Sequence, residues 1–117
     1  MAWAGLDQRQ FPRVNVRCDV LIHNRFGGTL EVQTQNLGVG GVCVLLKQEL
    51  EKLSSVRLRL VLKKENPAIE CEGRVVWTVR SKDPATGKVT YDTGIEFVKL
   101  ENADYERIVN FIQQQPW

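Results

Sequence analysis

Apolar and polar residues alternate along most of the chain with a period of two, the repeat that puts one set of strand side chains on a buried face. Val14, Val16, Cys18, Val20 and Ile22 alternate in a first strand. Asn24-Arg25-Phe26-Gly27-Gly28 follows as a hairpin turn. Leu30, Val32 and Thr34 continue a second strand, which Asn36-Leu37-Gly38-Val39-Gly40-Gly41 breaks. Val42, Val44 and Leu46 make a third, and residues 47–53 a polar connection with room for one helical turn. Val56, Leu58, Leu60 and Leu62 alternate with Arg57, Arg59 and Lys63, so the fourth strand has a wet face. After the turn Lys63-Lys64-Glu65-Asn66-Pro67, the residues Ile69, Cys71, Gly73, Val75, Trp77 and Val79 mark a long fifth strand. Trp77 shares the parity of Val75 and reads as a core residue, whereas Arg74 has the opposite parity and points outward. Lys82-Asp83-Pro84-Ala85-Thr86-Gly87 is a second hairpin turn, and Val89, Tyr91, Thr93, Ile95 and Phe97 form a sixth strand.

The period then changes. Tyr105, Ile108, Val109 and Ile112 fall at i, i+3, i+4 and i+7, an amphipathic helix. Asn102 is its expected N-cap, Asp104 and Glu106 lie in the first turn, and Pro116 ends it. Short strands at regular spacing close into a barrel, which removes exposed edges. The expected fold is therefore mainly β: a six-stranded antiparallel β-barrel with a C-terminal α-helix that plugs one opening or packs on the side.

Composition narrows the function. The 117 residues suffice for one domain with one modest core. A net charge of +2 is close to neutral, so anion binding is expected to be local and a nucleic acid polymer is not an expected partner. The stripe Arg57, Arg59 and Lys63 has no interleaved aromatic residue for base stacking. No apolar run reaches the roughly 18 residues of a transmembrane helix, so no membrane insertion is expected. The start, Met1-Ala2-Trp3-Ala4-Gly5-Leu6-Asp7, lacks the basic and apolar regions of a signal peptide. Cys18, Cys43 and Cys71, spaced 25 and 28 apart, fit no zinc motif and read as buried reduced thiols of a cytoplasmic protein. His23 stands without partners for a metal. Ser54, Ser55 and Ser81 occupy no nucleophile elbow, and Asp92 and Glu96 read as a solvated strand face. The expectation is a protein that is not an enzyme.

Two segments carry a binding signal. In Gln8-Arg9-Gln10-Phe11-Pro12-Arg13 two arginines sit four apart before the first strand. Pro12 disfavours helix at Phe11, and four extended residues span at most ~14 Å. The two guanidinium groups can thus approach one ligand from separated points. Each offers a planar fork that fits a phosphate or a guanine edge and can stack on a purine. Taken alone, such an RxxxR is more often a solvated basic arm. Residues 1–13, anchored only by Trp3, Leu6 and Phe11, are expected to form a flexible arm, and residues 14–117 the barrel and helix. The second segment is Asn36-Leu37-Gly38-Val39-Gly40-Gly41. Its glycines let backbone approach a ligand closely, and Asn36 offers a donor and an acceptor to a base edge. Taken alone, a glycine-rich turn between strands is the commoner case.

Together, in this order on a small barrel, these segments resemble the PilZ family, which combines an RxxxR arm with a D/NxSxxG segment. Arg9 and Arg13 match the first motif, and Asn36 and Gly41 the ends of the second. Glu72-Gly73-Arg74-Val75-Val76-Trp77 and Thr93-Gly94-Ile95-Glu96-Phe97 are also similar to family sequence, so the resemblance covers roughly residues 8–115. Gly38 stands where the family has serine. One lost hydrogen bond of this kind is worth about 0.5–1.5 kcal/mol, up to about tenfold in affinity.

The resemblance implies cyclic di-GMP, a bacterial second messenger, as ligand, with no catalytic cofactor. It implies that Arg9 and Arg13 hold phosphates and guanine edges while Asn36, Gly38 and Gly41 cup a guanine. Gln8, Gly40 and Arg74 are further candidate contacts, Gln8 bearing on whether one ligand or an intercalated dimer binds. The implied function is a sensor or adaptor in motility or biofilm formation, as a monomer or weak dimer. Ligand-induced ordering of the arm would signal to a protein effector. The alternative is a PilZ-like protein-interaction module with weak or no nucleotide binding, acting in pilus assembly or motility. Gly38 favours the alternative and the intact arginine pair opposes it.

Overall fold

A computed structural model of the chain describes residues 13–115. The strands are β1 (Asp19–Asn24), β2 (Thr29–Gly38), β3 (Gly41–Leu46), β4 (Ser55–Val61), β5 (Ile69–Lys82) and β6 (Val89–Val98), followed by helix α1 (Asn102–Gln113). Every neighbouring pair is antiparallel, and the order β1-β2-β3-β6-β5-β4 closes on itself through β1 and β4. This is the barrel that the alternation predicts. Its interior holds Val20, Ile22, Val42, Val44, Leu46, Leu58, Leu60, Ile69, Val75 and Ile95, all buried.

The helix seals one end. Its buried face, Ile108, Phe111 and Ile112, joins the same core. Arg107 donates to the carbonyl oxygen of Pro67 in the β4–β5 turn, and Lys63 Nζ donates to Gln114 Oε1 at 3.3 Å. Glu101, not Asn102, occupies the N-cap position, and no side chain among the described residues caps the helix. The expected Pro116 stop lies outside the described residues. The 47–53 connection contains no helical turn. Leu50 in its middle is buried and fixes the path of the backbone instead.

Two β-bulges reshape the expected pattern. The register slips between Thr34 and Asn36, leaving Gln35 unmatched. Thr34 points inward, and past the bulge it is Leu37 that points inward while Asn36 turns out. The first strand breaks opposite this bulge. Regular pairing starts only at Asp19, whereas Val14 forms a separate bridge with Leu37, each N–H donating to the other's carbonyl at 2.9 Å. Thr34 fills the gap between them. Its hydroxyl donates to Val16 O at 2.6 Å and accepts the Cys18 N–H at 2.9 Å.

The second bulge lies between Val75 and Trp77. Val75 pairs with Ile95 and faces the core, but Trp77 pairs with Gly94, which faces outward. The extra residue, Val76, reverses the parity of everything after it. Trp77 is thus an outer-face residue and not the core residue that its spacing from Val75 suggests. Val79, expected in the core as well, is 55% exposed.

Candidate functional site

The strand registers place Asn36, Gly38, Gly41 and Arg74 on one outer face, across β2, β3, β6 and β5. One transverse row runs Asn36, Cys43, Gly94, Trp77. The next runs Gly38, Gly41, Glu96, Arg74. The first row needs both bulges, which turn Asn36 and Trp77 outward from opposite sides of the face, whereas Arg74 precedes the β5 bulge and faces outward by plain alternation.

Arg13 joins the face from the segment before β1. The Val14–Leu37 bridge sets it beside Asn36, and Arg13 Nη1 donates to Asn36 Oδ1 at 2.7 Å. The two sequence motifs, separated by more than twenty residues, are therefore in direct contact. The bond uses the Asn36 carbonyl oxygen and leaves its amide N–H groups as the donors offered outward.

The floor between these groups is made of small residues. A Cβ on Gly41 would overlap the Ile95 carbonyl oxygen and come within 2.9 Å of Glu96 Cα, so only glycine allows β3 this close to β6. A Cβ on Gly94 would overlap Cε2 and Nε1 of the Trp77 indole, which lies against the glycine. An aromatic ring covering a strand glycine on the neighbouring strand shields backbone that would otherwise face water. Trp77 forms one wall of the face, and Arg13 with Asn36 the other.

The charges are local. Arg74 Nε donates to Glu96 Oε1 at 2.9 Å, so the expected outward arginine is there, paired across the strands. Burial pushes the Cys43 thiol up from its ordinary value, the nearby Asp92 carboxylate adds to this, and the Arg13 guanidinium opposes it. Cys43 thus sits as a neutral thiol between a cation and a carboxylate, and Cys18 and Cys71 are likewise buried free thiols. On the opposite face, Arg59 pairs with Glu70 at 3.5 Å and Arg57 stands across from Glu72. That basic stripe is balanced by β5 carboxylates.

The glycine segment is less of a loop than its sequence suggests. Asn36, Leu37 and Gly38 remain in β2, Gly41 opens β3, and only Val39 and Gly40 make the connecting turn. Gly40 is exposed at that turn, while Gly38 and Gly41 are buried at the strand ends. Gln8 and Arg9, with the rest of the arm before Arg13, lie outside the described residues. Trp77, Cys43 and Gly94 are the face residues that sequence reasoning did not assign to the site. The consecutive apolar run Val75-Val76-Trp77 is the one sequence hint of the bulge that turns Trp77 out.

Comparison with known proteins agrees with this architecture. The fold is similar to that of the Bacillus subtilis inhibitor of motility MotI/DgrA, with a TM-score of 0.74 and 21% identity over 91% of this chain and 50% of that one. It is also similar to the PilZ domain of Escherichia coli YcgR solved with c-di-GMP, at a TM-score of 0.72 and 13% identity over 91% and 89% of the two chains. The K. pneumonia MrkH–c-di-GMP complex matches at 0.68 and 17% identity, over 90% of this chain and 51% of that one. The chain thus spans about half the length of MotI/DgrA and MrkH and most of the YcgR PilZ domain. No curated protein matches the sequence significantly. The family model of the PilZ domain matches residues 7–114, nearly the whole chain, and the chain belongs to the PilZ domain family.

Proposed function

We propose that the outer face of β2, β3, β6 and β5 binds cyclic di-GMP, and that binding is the chain's whole chemical role. The observation that carries this reading is the Arg13–Asn36 hydrogen bond, which unites the two motif segments on one surface. YcgR and MrkH, both similar in fold, were solved with c-di-GMP. In this reading Arg13, with Arg9 from the arm, supplies planar donor forks to phosphates and guanine edges. Asn36 offers its amide donors to a base. The shallow floor of Gly38, Gly41 and Cys43 admits a flat purine, and the Trp77 ring, seated on Gly94, bounds it. Arg74 and Gly40 border the floor, and Gln8 stands next to Arg9 in the chain.

A ligand with two phosphates suits a site whose positive charge is concentrated at one edge of an almost neutral protein. Ordering the arm over the ligand costs conformational entropy, which charge-assisted contacts must exceed. The ordered arm then presents a new surface to a protein effector in the cytoplasm, and the chain acts as an adaptor, monomeric or weakly dimeric.

Titration calorimetry with cyclic di-GMP tests this. Each charge-assisted bond is worth about 1.5–3 kcal/mol, so Arg9→Ala and Arg13→Ala should each weaken binding by about tenfold to a hundredfold. Unchanged affinity in either variant would remove that arginine from the site. A flat trace for the wild-type chain at high ligand concentration would favour a protein-interaction module instead, the reading that Gly38 supports.

A further inference from the structure

β5 outruns its neighbour. β4 pairs with it only as far as Ser55–Arg74. The last contact on that side is Val75, whose N–H donates to Ser54 O at 3.0 Å and whose carbonyl accepts the Leu53 N–H at 2.7 Å. Beyond the bulge β5 continues to Lys82, paired with β6 alone. Among the described residues, no backbone hydrogen bond reaches the other edge of Thr78–Lys82. Asp83 donates its N–H to Lys88 O at 2.8 Å and so points toward β6. Antiparallel alternation then directs Val79 and Ser81 to β6, and the N–H and C=O groups of Thr78, Arg80 and Lys82 to the open edge.

Such an edge is a template for an added strand. No proline or bulge interrupts it between Trp77 and Lys82. Its two faces differ. On the outer face Val79 is 55% exposed, in one row with Asp92 and Leu45, itself 39% exposed. The other face carries Thr78, Arg80 and Lys82. Arg80 stands across from Tyr91 and Lys82 across from Val89, and neither cation has an ion-pair partner among the described residues. The carboxylate of the nearby Asp83 accepts the Ala85 N–H at 2.8 Å within its own turn. Self-pairing of two copies would gather both sets of cations on one face of a two-strand ribbon, where like charges repel.

We propose that this edge docks an extended segment of a partner protein in which acidic and apolar residues alternate. The segment adds as a strand beside β5, its carboxylates on Arg80 and Lys82 and its apolar side chains on Val79. Main-chain hydrogen bonds supply affinity and the alternation supplies specificity. The docking does not depend on nucleotide binding, although the edge begins next to Trp77 and so adjoins the proposed nucleotide face.

The test titrates the full chain, followed by amide NMR, with a synthetic peptide that alternates valine with glutamate. The amides of Thr78, Arg80 and Lys82 should shift and gain protection from solvent exchange, while Val79 and Ser81, already bonded to β6, keep theirs. A peptide with lysine in place of glutamate should bind roughly tenfold more weakly. Arg80→Pro removes an edge donor without breaking the β6 ladder and should abolish binding. Should that variant fold poorly, the double variant R80E/K82E should reverse the preference between the two peptides. Equal binding of both peptides by the wild type, or shifts confined to other residues, overturns the proposal. Concentration-dependent protection of the same amides without peptide identifies a second copy as occupant and overturns it equally.

Discussion

At Gly94 even a methyl group would occupy space held by the Trp77 indole. Gly94→Ala must therefore push the ring off the face or force the strands apart, an overpacking that costs about 1–3 kcal/mol. Urea denaturation should register this loss, and the same variant should weaken cyclic di-GMP binding because the floor and its wall move together. Gly38 is the converse case. Gly38→Ser supplies the hydroxyl of the family motif and should tighten binding by up to about tenfold, measured by calorimetry. Motif spacing singles out Arg13, Asn36 and Gly41 in the sequence directly as site candidates. The outward direction of Trp77 could not be read, because it depends on the register shift at Val76 immediately before it. The contact between Arg13 and Asn36 is likewise a product of folding, through the Val14–Leu37 bridge.

The strands and the helix follow their hydrophobic periods, and the departures occur where two apolar residues adjoin or where parity changes within a strand. Thr34 and Leu37 both point inward although they lie three positions apart, which requires the bulge at Gln35. Val75-Val76-Trp77 carries the second bulge. A strict period-two reading passes through both and assigns the following side chains to the wrong face. The bulge at Val76 has a cost. It turns Thr78 to the side of buried Thr93, where its Oγ1 is buried without a hydrogen-bond partner among the described residues. Thr78→Val keeps the shape and removes the orphaned hydroxyl, so it should stabilise the fold by about 1 kcal/mol. An unchanged or lowered denaturation midpoint would show that the hydroxyl is satisfied in solution. The helix start shows a different limit. Asn102 has the side chain of a cap, yet the backbone puts Glu101 at that position, a one-residue difference that helical periodicity does not resolve.

For the molecule as a whole, the closed barrel separates an almost neutral surface from a core that contains thiols. Burial pushes Cys18 and Cys71 up from 9.0 to about 11, against an opposing Thr34 hydrogen bond at Cys18 and an opposing Arg57 charge at Cys71. Between those values the folded chain holds protons that the unfolded chain has lost. The stability from these two groups is therefore complete below pH 9.0 and declines as pH rises toward about 11. Denaturation midpoints should fall across that window in the wild type, and fall less in the double variant C18V/C71V. The same closure sets two faces of the barrel apart. On the β1–β4 side the arginines face carboxylates of β5, whereas the β2–β3–β6–β5 side brings together Arg13, Asn36, the small-residue floor and Trp77. The proposed ligand of this second face is cyclic di-GMP. Amide and side-chain NMR of the full chain during titration with the nucleotide locates its binding face. Saturable shifts are expected at the Asn36 side-chain amide, at Gly94 and at the Trp77 indole N–H, with His23, Arg57 and Arg59 unmoved. Saturable shifts centred on His23, Arg57 and Arg59, or none at all with excess nucleotide, would contradict the proposal.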